Sequence, residues 1–553
     1  MRRSTIVTIT LCAALAAGPA AGETARGTVF EDRNADGVRD PGEPGIAGVL
    51  VSNGREVVVT DAAGDYRIDL EAPAVLFLTK PAGYGTPVNE YQLPRFYYLH
   101  QPEGSPEGLR YAGVPPTGPL PERIDFPLLP IDEPERYEAL LITDPQPMTD
   151  AELDYVRDSF VAEAIGTEAR FGMTMGDILF DDLSHFPRYN ALISRIGIPW
   201  YNVPGNHDMN YLATSDAGAL ETFKRWYGPP YYSFDVGLVH YVVLDNIEYE
   251  GAAAETDSYR RAGAYKARIT EPQLEWLRND LERVPEDRLV FLAMHSPLET
   301  VASPDSPSAN TSNRRELFRI LRGRDHLYSV AGHTHTNEHH YFDEDDGFPG
   351  PGEFHHHVLS AVSGSWWSGP LDADGIPSSV QRDGSPKGYH VLTIDGTELS
   401  IRYKALGRPA DYQMRILFDA DHHLRSPDTL RDFRPGELLD GRLSVDAVPS
   451  ADLLVNLFDG GPRSRVTAVI GDRAPLALER VLAKDPFVER LFARHADTRR
   501  SWVQAVTSGH LFRAGLPEDL GPGTYAVTVR AEDEFGQVHH GHAVLEFIGS
   551  SAP

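Results

Sequence analysis

Five short segments of this chain carry the side-chain types that bind hard or borderline cations: Asp144-Pro145-Gln146, Gly176-Asp177, Gly205-Asn206-His207-Asp208, His295 and Gly332-His333-Thr334-His335. All but the third end an apolar run of buried-strand length: Leu140 to Ile142, Phe171 to Met175, Val290 to Met294 and Leu327 to Ala331. In an open α/β sheet the carboxyl ends of the strands border one crevice, so residues scattered along the sequence meet in space. Few folds satisfy that constraint.

The intervening segments agree with it. Thr149 and Glu152 form a capping box, Leu153, Val156, Phe160 and Ala164 mark one helical face, and Gly166 stops the helix. Thr270 with Gln273 repeats the signal, with Pro272 in the first turn and Leu274, Leu277 and Leu281 on the buried side. Strands alternating with helices predict an α/β domain over residues 131–395.

Before it, short β-type runs (Gly48 to Val51, Glu56 to Thr60, Tyr66 to Leu70, Val75 to Lys80) predict an N-terminal β-sandwich over 23–130. Gly83 to Pro121, rich in Pro, Gly and Tyr, reads as an irregular linker or long surface loop. After it, candidate strands at Leu399 to Tyr403, Met414 to Phe418, Leu453 to Phe458, Val466 to Ile470, Tyr525 to Arg530 and Ala543 to Ile548 predict a C-terminal β-rich domain over 396–553.

Residues 1–22 read as a signal peptide: Arg2-Arg3, the apolar stretch Ile6 to Ala17, then the small residues Ala20-Ala21-Gly22. About 12 apolar residues are too few to span a bilayer, so the expectation is an exported chain, periplasmic or extracellular, with no membrane span after maturation. The single cysteine, Cys12, lies in that leader. The mature chain then has no thiol for a disulfide, a zinc site or a nucleophile. Loss of Arg2 and Arg3 takes the net charge from −30 to −32, a field that repels nucleic acid.

The ligand set suits phosphoester hydrolysis, which needs a strong nucleophile and neutralisation of the phosphoryl oxygens. Two cations about 3.5–4 Å apart supply both. Asp177 is placed to bridge them, with Asp144 and His335 completing one site and Asn206, His295 and His333 the other. Manganese, iron, zinc and magnesium all fit these donors, as divalent or trivalent ions. His207 would protonate the leaving oxygen, and Asp208 would orient its ring.

These residues resemble the calcineurin-like metallophosphoesterase superfamily, whose pattern runs Asp-x-His, Gly-Asp-x-x-Asp, Gly-Asn-His-Asp/Glu, a lone His, then Gly-His-x-His. The resemblance implies a central β-sandwich flanked by helices. It implies metal ligation by Asp177, Asn206, His295, His333 and His335, catalysis by His207, and in-line attack by a hydroxide bridging the ions. Gln146 stands where the family usually has a His ligand; its amide oxygen would bind weakly or hold a water. Phe180 stands where purple acid phosphatases carry a tyrosine ligand, which argues against that subgroup. Gly364-Ser365-Trp366-Trp367 and Asp383 to Tyr389 resemble the passage into the C-terminal domain of a bacterial subgroup with β domains on both sides, so the likeness spans nearly all of the mature chain.

Four further features remain open in the sequence. Asp32, Asn34, Asp36, Asp40 and Glu43 match the oxygen ligands of an EF-hand calcium loop, but the flanks read as strands, so a calcium site and a solvated acidic turn are equally expected. His339-His340 and His355-His356-His357 read as a solvated loop and a strand start rather than ligands. Trp366 and Trp367 suit either a substrate wall or core packing, and Glu248 to Arg268 a lid or, preferably, a surface loop. Overall the sequence predicts an exported two-metal phosphoesterase acting on a small mono- or diester. The alternative is a surface-binding or adhesion protein whose phosphoesterase-like core is inactive.

Overall fold

Successive side chains of a strand point to opposite faces, and Leu140, Leu141 and Ile142 are all buried. Leu141 enters a core shared with Met173, Met175, Val203, Tyr241 and Phe291, whereas Leu140 and Ile142 pack with Leu153, Val156, Phe160 and Phe186 of the covering helices. A strand apolar on both faces belongs inside α/β layers. The structure is a computed structural model that describes residues 22–251, 264–350, 352–419, 442–444 and 451–548. The leader with Cys12 lies outside those residues, as do positions 252–263 of the segment read as a surface loop or lid.

Two sheets face each other across that core. One has five strands in the order Trp200–Val203, Gly172–Met175, Arg136–Ile142, Gly388–Asp395 and Glu398–Ala405, the first three parallel. The other has six, in the order Tyr232–Val236, Val239–Val243, Leu289–Ala293, Leu327–Ala331, Phe354–Val358 and Glu338–Phe342. Helices Asp150–Val156 and Phe186–Ile193 flank the first sheet, and Glu271–Leu281 and Arg314–Leu321 the second. The result is the expected helix-flanked β-sandwich.

Both helix starts lie where predicted, with different capping. Thr149 accepts from the Glu152 amide at 3.2 Å, but the Glu152 carboxylate accepts from the Met148 amide at 2.6 Å rather than from Thr149. The helix continues through a π-helical turn at Arg157–Val161. Gln273 donates to the Thr270 hydroxyl at 3.2 Å while its oxygen accepts from the Asp245 amide at 3.0 Å, tying the helix to the sheet instead of closing a capping box.

The N-terminal domain is built from two four-stranded sheets. Its Val51, Leu76, Phe77 and Phe126 belong to the same buried cluster as Tyr241 and Phe291, so it is fused to the core of the α/β domain. A Lys80–Glu133 ion pair of 2.8 Å, nearly buried on both sides, fixes the junction. Gly83 to Pro121 is not the surface linker expected: Leu93, Phe96 and Val114 are buried, and Phe96 packs 5.0 Å from the Tyr232 ring. Its Pro-rich composition reflects irregular backbone, not exposure.

The C-terminal domain is an eight-stranded sheet with its own core. Strands Leu476–Lys484 and Thr507–Gly515 and helix Pro486–Arg494 escaped the sequence reading; Leu-Ala-Leu-Glu-Arg-Val-Leu-Ala-Lys has the composition of a helix. The expected boundary at 395/396 cuts a hairpin. Glu398–Ala405 pairs along its length with Gly388–Asp395 and closes the catalytic sheet. His339 and His340 lie in a strand rather than a solvated loop. His355 to His357 do lie near the start of one, as expected, and His339, His356 and His357 are buried.

Candidate metal centre

All five ligand segments follow strands, including Gly205-Asn206, which follows Trp200–Val203, a strand without a plain apolar run. The chain turns sharply at each end. Asp144, Asp177, His333 and His335 have φ of 50°, 51°, 71° and 53°, and Gln146 39°. Positive φ costs about 1–3 kcal/mol for a non-glycine residue and clusters at functional sites. Glycines give the required proximity: a Cβ on Gly205 would lie 2.3 Å from Asp177 Oδ1, and one on Gly332 2.5 Å from Asp144 Oδ2.

The turns bring Asp144, Gln146, Asp177, Asn206, His295, His333 and His335 together. Asp177 Oδ1 lies 3.2 Å from His295 Nε2, which lies 3.1 Å from Asn206 Oδ1 and 3.2 Å from His333 Nδ1. Asp144 Oδ1 lies 3.4 Å from His335 Nε2. Gln146 Nε2 contacts Asp177 Oδ2 at 2.6 Å, placing the amide against the carboxylate expected to bridge.

Second contacts fix the imidazole tautomers. His295 Nδ1 faces the Met175 carbonyl at 2.8 Å and His335 Nδ1 faces that of Gly364. A carbonyl only accepts, so each Nδ1 carries the proton and a neutral ring turns its Nε2 lone pair inward. Asp144 Oδ1, Gln146 Oε1 and His335 Nε2 are buried without a hydrogen-bond partner. Unpaired buried acceptors are costly, and cations satisfy them. The donor set therefore fits divalent metal ions.

The electrostatics agree. Burial raises the Asp177 carboxyl, but His295 and His207 outweigh it and hold the group far below the ordinary carboxylate range. Burial lowers His295, and Asp177 more than offsets this, pushing it up to about 9. Burial and neighbouring His295 push His333 down to about 3. A cation substitutes for the proton that this geometry otherwise puts on His295.

His207 was expected to be oriented by Asp208, and the structure corrects this. Asp208 is fully buried, accepting from the amides of Gly205, Ile178 and Leu179 at 2.9, 3.2 and 3.2 Å, so it holds the turn. Its partner role falls to Asp181, which sits 2.6 Å from His207 Nδ1, while Phe180 stacks on the ring at 4.2 Å. The two tryptophans divide the expected roles. Trp367 is buried and donates to the Pro145 carbonyl at 2.7 Å; Trp366 stacks on His335 at 3.8 Å. Trp502 of the C-terminal domain, unforeseen, spans Phe180 and Trp366 at 6.2 and 6.3 Å and is 46% exposed.

The Asp32–Glu43 loop is closed by its own hydrogen bonds. Asp32 accepts from the amides of Asp36 and Gly37, Asp36 from that of Val38, and Glu43 from those of Arg33 and Asp40.

Comparison with known proteins places this geometry. Residues 33–112 match the N-terminal profile of calcineurin-like phosphoesterases, residues 140–337 the calcineurin-like phosphoesterase profile itself, and residues 356–539 the C-terminal profile. Tartrate-resistant acid phosphatase type 5 of Rattus norvegicus is 26% identical over 37% of this chain and 63% of its own length. That of Mus musculus is 26% identical over 27% of this chain and 46% of its own. Purple acid phosphatase PPD1 from yellow lupin superposes with a TM-score of 0.34 at 12% identity, over 69% of this chain and 66% of that one. With all three profiles matched in order around one ligand-lined crevice, the chain belongs to the calcineurin-like phosphoesterase family.

Proposed function

We propose that the chain is a two-metal phosphoric ester hydrolase acting on a small phosphate mono- or diester. The observation that carries this reading is the convergence of unpaired, buried donor atoms from Asp144, Gln146 and His335 beside Asp177, His295 and His333. When bound, the cations supply charge neutralisation and an activated water.

Asp144, Asp177, Asn206, His295, His333 and His335 hold the ions, with Gln146 the weakest donor. His207 is 21% exposed at its side chain, facing the crevice, while Asp181 fixes Nδ1 and leaves Nε2 toward substrate. Burial lowers its pKa and Asp177 and Asp181 raise it; Asp181, which holds no ion, favours the protonated ring that a leaving alkoxide needs. Phe180, Trp366 and Trp502 border the same side, and we assign them the apolar part of the leaving group. The tyrosine of the purple enzymes is replaced by Phe180, so a ligand phenolate takes no part.

The leader pattern of residues 1–22 supports export, checked by N-terminal sequencing of secreted protein. No helix among the described residues is long and apolar enough to cross a membrane. The deciding experiment is a panel of model mono- and diesters assayed with manganese, iron, zinc and magnesium in turn. Hydrolysis that needs added metal and is lost in Asp177→Asn supports the reading. A protein that binds no metal and turns over no ester is instead the inactive binding protein.

A further inference from the structure

The buried histidines of strands Glu338–Phe342 and Phe354–Val358 separate into two sets by the period of the strand. The strands are antiparallel, with His339 opposite His357 and His340 opposite His356. On one face, His356 is satisfied: Nε2 accepts from the Leu298 amide at 3.1 Å and Nδ1 lies 2.7 Å from Ser329 Oγ. His340 reaches Glu338 at 3.0 Å. These are ordinary core and rim histidines.

The other face differs. His339, His357 and, from the five-stranded sheet, His390 all turn Nε2 toward one oxygen of Asp459, at 3.6, 2.9 and 3.4 Å. Asp459 lies just beyond strand Asp452–Leu457 of the C-terminal domain. All four side chains are at least nine-tenths buried. His339 Nε2 has no hydrogen-bond partner. Three imidazoles aimed at one carboxylate oxygen each need a proton on Nε2, and only His357 is within good hydrogen-bonding distance.

A metal ion removes that conflict. The edge of a tetrahedron with bonds of about 2.1 Å is about 3.4 Å, the spacing of donor atoms around zinc, and the distances of His339 and His357 to Asp459, 3.6 and 2.9 Å, bracket it. His339, His357 and Asp459 keep their donor atoms within 4.8 Å of one another. The outer contacts suit ligation too: His357 Nδ1 lies 3.0 Å from Tyr328 Oη, and His339 Nδ1 2.9 Å from His355 Nε2. Phe535 packs against the rings of His339 and His357 at 6.0 and 6.3 Å, shielding the cluster.

We propose that His339, His357 and Asp459 form a further metal site, a buried zinc site that staples the C-terminal domain to the six-stranded sheet, with His390 beside it on Asp459. It shares no residue with the catalytic centre, and its three donors are buried at a domain junction, so its role is structural.

The test uses the full chain with the catalytic centre disabled by Asp177→Asn and His333→Ala, exposed to zinc and then passed over a chelating resin. The expected result is about one zinc retained per chain, lost when Asp459→Asn or His357→Gln is added. No zinc above background in the disabled chain overturns the proposal, as does zinc that survives both added substitutions. Should the added substitutions prevent folding, cobalt in place of zinc in the disabled chain decides. Intense visible bands of a four-coordinate ion support the site, whereas their absence, or only the weak bands of a six-coordinate ion, overturns it.

Discussion

The catalytic centre and the Asp32–Glu43 loop are both rich in oxygen ligands, yet they treat those ligands in opposite ways. In the loop both oxygens of Asp32, Asp36 and Glu43 accept hydrogen bonds from its own amides or from Asn34. In the centre Asp144 Oδ1, Gln146 Oε1 and His335 Nε2 have none, although they are buried and held on strained backbone. A sequence motif reports which atoms are present. Unsatisfied burial reports which of them require an ion.

The largest expected effect is at Asp177. Asp177→Asn should keep the fold, by circular dichroism, while turnover falls at least about a thousandfold, because several kcal/mol of charge stabilisation depend on the cations it holds. Near-normal turnover would erase the distinction between centre and loop.

Next is the proton donor. His207→Gln should cost about 10²- to 10⁴-fold in kcat on substrates with poor leaving groups, and little where the leaving group is acidic enough to depart unaided. Asp181→Asn removes a charge that raises the His207 pKa. The protonated acid is present below that pKa and lost above it, so the alkaline limb of the kcat profile should move to lower pH. An unchanged limb would return the orienting role to another group.

Gln146→His restores the family's imidazole and should raise the chelator concentration needed to strip the weaker metal by about tenfold. The smallest effect is assigned to the loop: added calcium should move the melting temperature by less than about 2 °C. A shift of 5 °C or more, about 1 kcal/mol or above, would show that self-satisfied carboxylates can still hide an ion site.

Strand ends and ligand order were legible because a buried strand and its terminal polar residue are adjacent in sequence. What was not legible depended on turns and on distant pairing. Asp208 follows His207 in the chain, but its side chain is consumed by three amides of the turn, and Asp181, at φ 63°, reaches the ring instead. Trp502 arrives from another domain. His339 reads as part of a solvated loop and His357 as a strand start until antiparallel pairing places them opposite each other beneath Asp459. The hairpin across 395/396 is divided in the sequence because the run of candidate strands from Leu399 onward resembles the start of a new β domain.

The most direct test is a metal titration of the stripped chain, following ester hydrolysis and bound metal together. The account predicts that activity appears only as the catalytic centre fills with two ions, and that the Asp177→Asn chain stays inactive at every metal concentration. Full turnover by the stripped chain, or activity complete with a single ion at the centre, would contradict it.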